Sequence, residues 1–383
     1  MRLTTLHKLI VACAALVGAC LMVAAFDFDS YTTLPGYKAA AVFSSDPDYL
    51  YFAQGEHNLL AAATAARRAC VAANPDQTDT QYCELVRLGE TAVTSAADIK
   101  ARVPRTPHPL FLWRYERGDS IVYLAGSVHI LKPGLRVPPP QYQQAFEAST
   151  HLVMEVDLSA FTAQQLQYKT MQYAMLPQDQ QLSDVLPPET FTRLDALTTQ
   201  YGLPLTQLVR FKPAFVTQQL VVLAMMSAGY DPNQGVETFF SQQAQNKTVS
   251  ELETIDFQLE LLMNQPLQTQ LSMVEDVLTQ MQQLEPFTAD LVTAWLSGDD
   301  AQFKTAFDQQ AGASPEAREF MRQMMDDRNI NMADQIAAYL QSDGRYFVLV
   351  GAAHYVGDNS IISLLARKGI HGERISSDQM IPR

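Results

Sequence analysis

Positive charge is scarce in this chain. Its 383 residues include 27 Lys or Arg against 41 Asp or Glu, a formal charge of -14. Nucleic-acid binding needs clustered basic residues, so this balance argues against such a partner. Cysteine is scarcer still, with four residues. There is no Cys-x-x-Cys knuckle and no helical His-Glu-x-x-His pair, so the usual zinc signatures are missing. The Gly-x-Ser-x-Gly elbow of many serine hydrolases is also absent, as is a Gly-x-x-x-x-Gly-Lys phosphate loop. No low-complexity domain interrupts the chain. Hydrophobic residues make up 47%, enough for one large core or two smaller ones.

The first residues are organised. Arg2 and Lys8 precede Leu9 to Phe26, a run without charge. A basic start, an apolar centre and Val23-Ala24-Ala25 form a signal-peptide pattern over 1–25, with cleavage before Phe26. The run is also about long enough to stay as a membrane anchor. Lipoprotein processing at Cys20 fits less well, because Gly18 and the residues after Cys20 depart from that pattern. Each reading exports the chain, to the periplasm or outward from a membrane anchor. Cys70 and Cys83 are then the cysteines left beyond the export segment, and an oxidising compartment favours a disulfide between them.

Beyond the leader, residues 26–106 read as a linker followed by a helical accessory segment. Pro35 and Gly36 mark the extended part, and helix formers from His57 to Cys70 mark the rest. The cysteine pair would clip a helical hairpin. Pro104, Pro107 and Pro109 end this small N-terminal helical subdomain, and 107–383 form the main domain. Its first pattern is two strands joined by a turn at Gly118-Asp119. His151 to Asp157 reads as another strand, with Val153, Glu155 and Asp157 on one face. From about 160 to 336 the chain is mostly helical, with one extended interruption at Thr248 to Glu253. The fold class is therefore α/β: a mixed sheet with flanking helices and a large helical insertion.

One pattern occurs twice. Ser120-Ile-Val-Tyr-Leu-Ala-Gly126-Ser-Val-His129 is an apolar strand, a glycine and a histidine three residues on. Tyr346-Phe-Val-Leu-Val-Gly351-Ala-Ala-His354 repeats it. A glycine at a strand end permits a sharp turn. A histidine beyond that turn can sit at the carboxyl edge of a sheet, where open α/β sheets hold ligands. Two such histidines suggest a shared metal ion, since neutral imidazole is a common ligand. Glu155 and Asp157 are the acidic candidates, for ligation or for activating water. Asp157 equally suits the cap of a following helix. Glu237, in Gly235-Val-Glu237-Thr-Phe-Phe240, opens a helix and can simply complement its dipole. Glu251 and Glu253 carry the same ambiguity. Arg328 and Asn329 can stabilise an oxyanion or form surface pairs.

Taken together these motifs resemble the TraB/PrgY/GumN family, which includes the Tiki metalloproteases. The carrying stretches are Ala-Gly-Ser-Val-His129-Ile, His151-Leu-Val-Met-Glu155-Val-Asp157, Gly235-Val-Glu237-Thr-Phe-Phe, Glu251-Leu-Glu253-Thr-Ile-Asp-Phe-Gln258, Arg328-Asn329 and Val-Gly351-Ala-Ala-His354-Tyr-Val-Gly357. They span roughly 108–372. The resemblance implies an α/β fold like the erythromycin-esterase and ChaN-like proteins. It implies a divalent cation, manganese or cobalt, with zinc also admitted by the ligand types, on His129, His354 and Glu155. Glu237, Arg328, Asn329 and Asp157 are then the catalytic candidates. The expected activity is hydrolysis of a peptide or protein substrate. A non-catalytic binding protein for a peptide or a polysaccharide intermediate is the alternative.

Overall fold

The run from Tyr346 to Val350 is apolar at every position, as a strand covered on both faces must be. In the computed structural model it forms the buried part of strand β9 (Arg345–Gly351), near the middle of a six-stranded sheet. The structure describes residues 31, 34, 37–43, 46–56, 59–74, 83–89, 91–93, 107–132, 138–310 and 314–382. The export segment expected at 1–25 lies outside them. Among the described residues no helix is long and apolar enough to cross a membrane. The chain divides into two compact units, residues 1–108 with 131–139 and residues 109–130 with 140–383.

In the first unit, strands β1 (Tyr37–Phe43), β2 (Asp46–Glu56), β3 (Cys83–Leu88) and β4 (Thr91–Ala92) form a sheet in the order β2-β1-β3-β4. The helix Leu59–Ala73 accompanies them. The expected helical hairpin is therefore corrected to an α/β unit. The Tyr-Leu-Tyr-Phe run at 49–52 explains the error, because aromatic residues favour a pleated, half-buried surface. Tyr31, Ala40, Val42, Leu50 and Phe52 form its apolar cluster. The expected Cys70–Cys83 disulfide is present, with Cα atoms 6.0 Å apart. It joins the helix to β3 rather than helix to helix.

The second unit carries the larger sheet. Its strands are β5 (Pro109–Arg117), β6 (Ser120–Ser127), β7 (His151–Met154), β8 (Thr248–Glu251), β9 and β10 (Glu373–Ser376), in the order β10-β5-β6-β9-β7-β8. The first two make the expected hairpin, with Arg117 opposite Ser120 and Gly118 in the left-handed region at φ 59°. β6, β9, β7 and β8 are mutually parallel, whereas β5 and β10 add antiparallel strands at one edge. The sheet is mixed, as expected.

Helices fill most of the span from Ala163 to Tyr339. Leu182, Leu194, Leu205, Val216, Leu220 and Val274 pack into a separate apolar cluster there. Thr162 begins the span with a capping box closed by Gln165, which satisfies otherwise orphaned helix N–H groups. Strand β7 is shorter than expected and stops at Met154, opposite Leu349 and Glu251. Glu155 and Asp157 thus leave the sheet, and strand alternation does not relate them. The carboxyl ends of four neighbouring parallel strands now coincide.

Candidate active site

Those ends carry the chemistry. β6 and β9 are adjacent and in register, with Ser127 opposite Gly351, so their two Gly-x-x-His loops leave the sheet side by side. The glycines serve close approach rather than a sharp turn. Neither has positive φ among the described glycines. A Cβ on Gly126 would lie 3.0 Å from Phe111 Cβ and 3.3 Å from Ala352 Cα. The Gly126 carbonyl accepts hydrogen bonds from Tyr142 Oη at 2.9 Å and Trp295 Nε1 at 2.8 Å. These buried donors need such a partner, and they brace the floor under the site.

The space beside Gly351 is the centre of the arrangement. A Cβ there would lie 3.1 Å from Glu155 Oε1, 3.6 Å from His129 Nε2 and 3.7 Å from His354 Cδ2. Glycine keeps that cradle open. Glu155 follows β7, and its Oε1 accepts from the Gly351 N–H at 2.6 Å. His354 Nε2 is 3.9 Å from the same oxygen.

Two buried acids share one guanidinium. Arg328 Nη2 donates to Glu155 Oε2 at 2.8 Å and to Glu253 Oε2 at 2.7 Å. Its Nε donates to Glu253 at 2.9 Å and its Nη1 to the Met324 carbonyl at 3.0 Å. Bidentate, charge-assisted bonding of this kind is strong and directional. The guanidinium is thus committed to holding the acids. Burial pushes the Glu155 carboxyl up, but His354, His129, Arg328 and the Gly351 N–H outweigh it and hold it at about 2. Glu155 is a fixed carboxylate.

The two histidines have different partners. His129 Nδ1 lies 2.7 Å from Glu237 Oε1. That carboxylate raises the imidazole above its usual value, to about 9. The His129 side chain is 69% exposed, so screening limits what the pairing adds to stability. His354 is buried, and its Nδ1 lies 2.5 Å from Asn329 Oδ1. Burial lowers its imidazole to about 4, against the pull of Glu155, so it is neutral near pH 7.

Glu237 is delivered by packing. A Cβ on Gly235 would sit 2.3 Å from the His129 carbonyl oxygen, and the Val236 N–H donates to the Val128 carbonyl at 3.1 Å. This glycine lets the helix Val236–Ser241 begin against the β6 loop. The Ser127 hydroxyl and His129 both donate to Glu237 Oε1. Glu237 Oε2 is buried with no hydrogen-bond partner. Burial raises the Glu237 carboxyl, yet His129 and Ser127 outweigh it and lower its pKa.

His129, Glu155 and His354 therefore meet at Gly351. Glu237 joins through His129, Arg328 through Glu155 and Asn329 through His354. Asp157 does not join them: its Oδ1 accepts from Ser159 N at 3.0 Å and caps the short helix Leu158–Ala160. Ser127, Gly351 and Glu253 were not singled out as site residues by sequence. Ser127 sits inside the Gly-Ser-Val-His turn itself, which was the available signal. Glu253 was readable only as an ambiguous acid, because the partner that defines its role is 75 residues away.

A cavity of about 590 Å³ opens over this cluster, with Met154, Val156, Leu158, Leu262 and Met324 in its walls. A π-helical turn, Gln323–Asp327, runs beside it. Met324 and Arg328 line this cavity, whereas Met325, Asp326 and Asn329 line a second one of about 410 Å³.

Among the described residues no three His, Cys, Asp or Glu side chains are grouped tightly enough to form a ready metal site. The donors still fit a divalent cation in kind. Each imidazole engages an acceptor through Nδ1, so Nε2 is the nitrogen that can face a metal in the usual carboxylate- or carbonyl-backed manner, once His129 gives up the proton that Glu237 favours. A fixed carboxylate and the cradle at Gly351 complete the set.

The chain is similar to Metalloprotease TIKI1 of Danio rerio, 26% identical over 363 residues, covering 78% of this chain and 70% of that protein. It is also similar to the uncharacterized protein YbaP of Escherichia coli, 23% identical over 260 residues, covering 65% of this chain and 89% of YbaP. No solved structure matches. A family model matches residues 111–374, which hold every site residue above, and on that match the chain belongs to the TraB/PrgY/gumN family.

Proposed function

We propose that this chain is an exported, metal-dependent hydrolase acting on a peptide bond. The observation that carries the reading is the convergence of His129, Glu155 and His354 on the space beside Gly351, with Glu237 Oε2 buried and unpartnered nearby. The similarity to a metalloprotease supports it. His129, His354 and Glu155 would hold the ion. When bound, such an ion supplies Lewis acidity that polarises a carbonyl and makes water a nucleophile near neutral pH.

The remaining work falls to this chain's side chains. Ser127 and His129 hold Glu237 through Oε1, which leaves Oε2 as the base that takes a proton from the attacking water. Its lowered pKa keeps it ionised for that role. Arg328 holds Glu155 and Glu253 in place, rather than stabilising an oxyanion as the sequence suggested. Met154, Val156, Leu158, Leu262 and Met324 in the cavity walls favour an apolar substrate side chain. The Cys70–Cys83 disulfide and the basic-then-apolar leader support export.

The test uses the purified full chain, stripped with a chelator and reloaded with manganese, cobalt or zinc. Reloading should restore cleavage of a peptide library. His354→Ala and Glu237→Gln should each abolish it. Cleavage that persists after chelation and in His354→Ala would overturn the reading, as would failure of the wild-type chain to take up any ion.

A further inference from the structure

The two loop histidines meet unlike groups at Nδ1, a carboxylate for His129 and a carboxamide for His354. A carboxamide is ambiguous by itself, since one end accepts and the other donates. A third group removes the ambiguity here. Asn329 Nδ2 lies 2.9 Å from the backbone carbonyl oxygen of Asn359. A carbonyl oxygen only accepts, so reversing the amide would set two acceptors against each other. Asn329 Oδ1 must then face His354 Nδ1, at 2.5 Å. A ring nitrogen that close to an acceptor carries hydrogen. Neutral imidazole has one N–H, so Nε2 keeps its lone pair.

The surroundings enforce this choice. Asn329 and His354 are only 2% and 4% exposed, so water does not compete for the bond. His354 Nε2 is 3.9 Å from Glu155 Oε1, beyond hydrogen-bond reach. The other tautomer would lose the Asn329 bond and gain none at that oxygen.

We infer that Asn329 is a positioning residue, which fixes His354 as the Nδ1–H tautomer through the Asn359 carbonyl and so presents Nε2 as a lone pair on the side of Glu155 Oε1. Consecutive residues at the start of helix Arg328–Tyr339 thereby set two site groups, Arg328 orienting Glu155 and Asn329 orienting His354. The Nδ1 proton follows from the hydrogen bonds alone, and the bare Nε2 from the neutral form that burial of His354 favours. Its use in ion binding rests on the proposed function.

The experiment is long-range nitrogen–proton correlation NMR on the metal-free full chain with nitrogen-15 histidine. His354 is assigned by the signal lost in His354→Gln. The expected result is a protonated Nδ1 and a bare Nε2 in the wild type. Asn329→Ala should give a mixture of tautomers, and Asn329→Asp, which keeps an acceptor oxygen, should retain the Nδ1 proton. A wild-type proton on Nε2 overturns the inference without any variant. An unchanged tautomer in a folded Asn329→Ala chain overturns it as well. Manganese titration of the same samples reads the consequence, with affinity expected to fall about 10–100-fold in Asn329→Ala. If the wild type takes up no ion while its tautomer is as stated, the hydrolase reading fails and the role of Asn329 stands.

Discussion

Ser127 and Gly351 face each other across the parallel pair β6 and β9. Everything at the site follows from that pairing. It sets two equivalent loops next to each other, yet gives them unlike work. The Ser127 loop recruits Glu237, whereas the Gly351 loop leaves a space that Glu155 and both imidazoles border.

Gly351→Ala tests the space. The backbone there, at φ -50° and ψ 133°, suits alanine, so no strain arises from the chain itself. The new Cβ would crowd Glu155 Oε1 at 3.1 Å. Manganese affinity, read by isothermal titration, should fall at least about tenfold. Stability in urea should change by less than about 1 kcal/mol. Unchanged affinity would remove Gly351 from the site.

Removing a shared cation should be costly. Arg328→Met leaves Glu155 and Glu253 buried without their partner. Loss of one side of a buried ion pair costs about 3–5 kcal/mol. Adding Glu253→Gln should recover part of that loss, because one stranded charge then disappears. Urea midpoints of the single and double variants, compared in a cycle, read the coupling directly. Equal stability of wild type and Arg328→Met would contradict the clamp.

An acid-side dependence is expected away from the site. Thr190 Oγ1 donates to Glu275 Oε1 at 2.6 Å and Arg193 to its Oε2 at 2.8 Å. The Thr190 bond, with help from Arg193, lowers the Glu275 carboxyl below its usual 4.5. A depressed acid stabilises the fold above its unfolded pKa, and that stability disappears as pH falls through the folded value. Glu275→Gln should therefore flatten the decline below about pH 4.5. Its side chain is 42% exposed, so the difference should stay under about 1 kcal/mol. Thermal midpoints at pH 3 and pH 7 would show it.

The cavity walls make a prediction about substrates. Leu262→Glu places a charge beside Met154 and Leu158 in the cavity. Cleavage of peptides with a large apolar side chain should fall about tenfold or more in kcat/KM, about 1.4 kcal/mol in transition-state binding. The same substitution should spare peptides whose side chain there is alanine. Equal losses for both would locate substrate elsewhere.

Much of this was legible in the chain. The repeated strand–glycine–histidine pattern located β6, β9 and both imidazoles, because a continuous apolar run marks a strand buried on both faces. Glu155 and Glu237 were readable as acids next to that pattern. The function of the glycines was not, since a periodic pattern records burial and says nothing of how closely backbones approach. Asp157 was ambiguous, and only its bond to Ser159 separated a cap from a site role. The accessory segment before Pro104 misled for a different reason. Alanine-rich sequence near Cys70 does form a helix, but β1, β2 and β3 take their order from pairing partners that no local window contains.

The turn at Gln323–Asp327 winds with an extra residue compared with an α-helical one. It takes up that residue between the helices Pro315–Arg322 and Arg328–Tyr339. Excising one residue from it would regularise the winding and leave the two helices close to their present rotation, because the wider turn carries one more residue through nearly the same angle. Arg328 and Asn329 would keep their orientation, so what the turn contributes is local: the Met324 carbonyl that accepts from Arg328 Nη1.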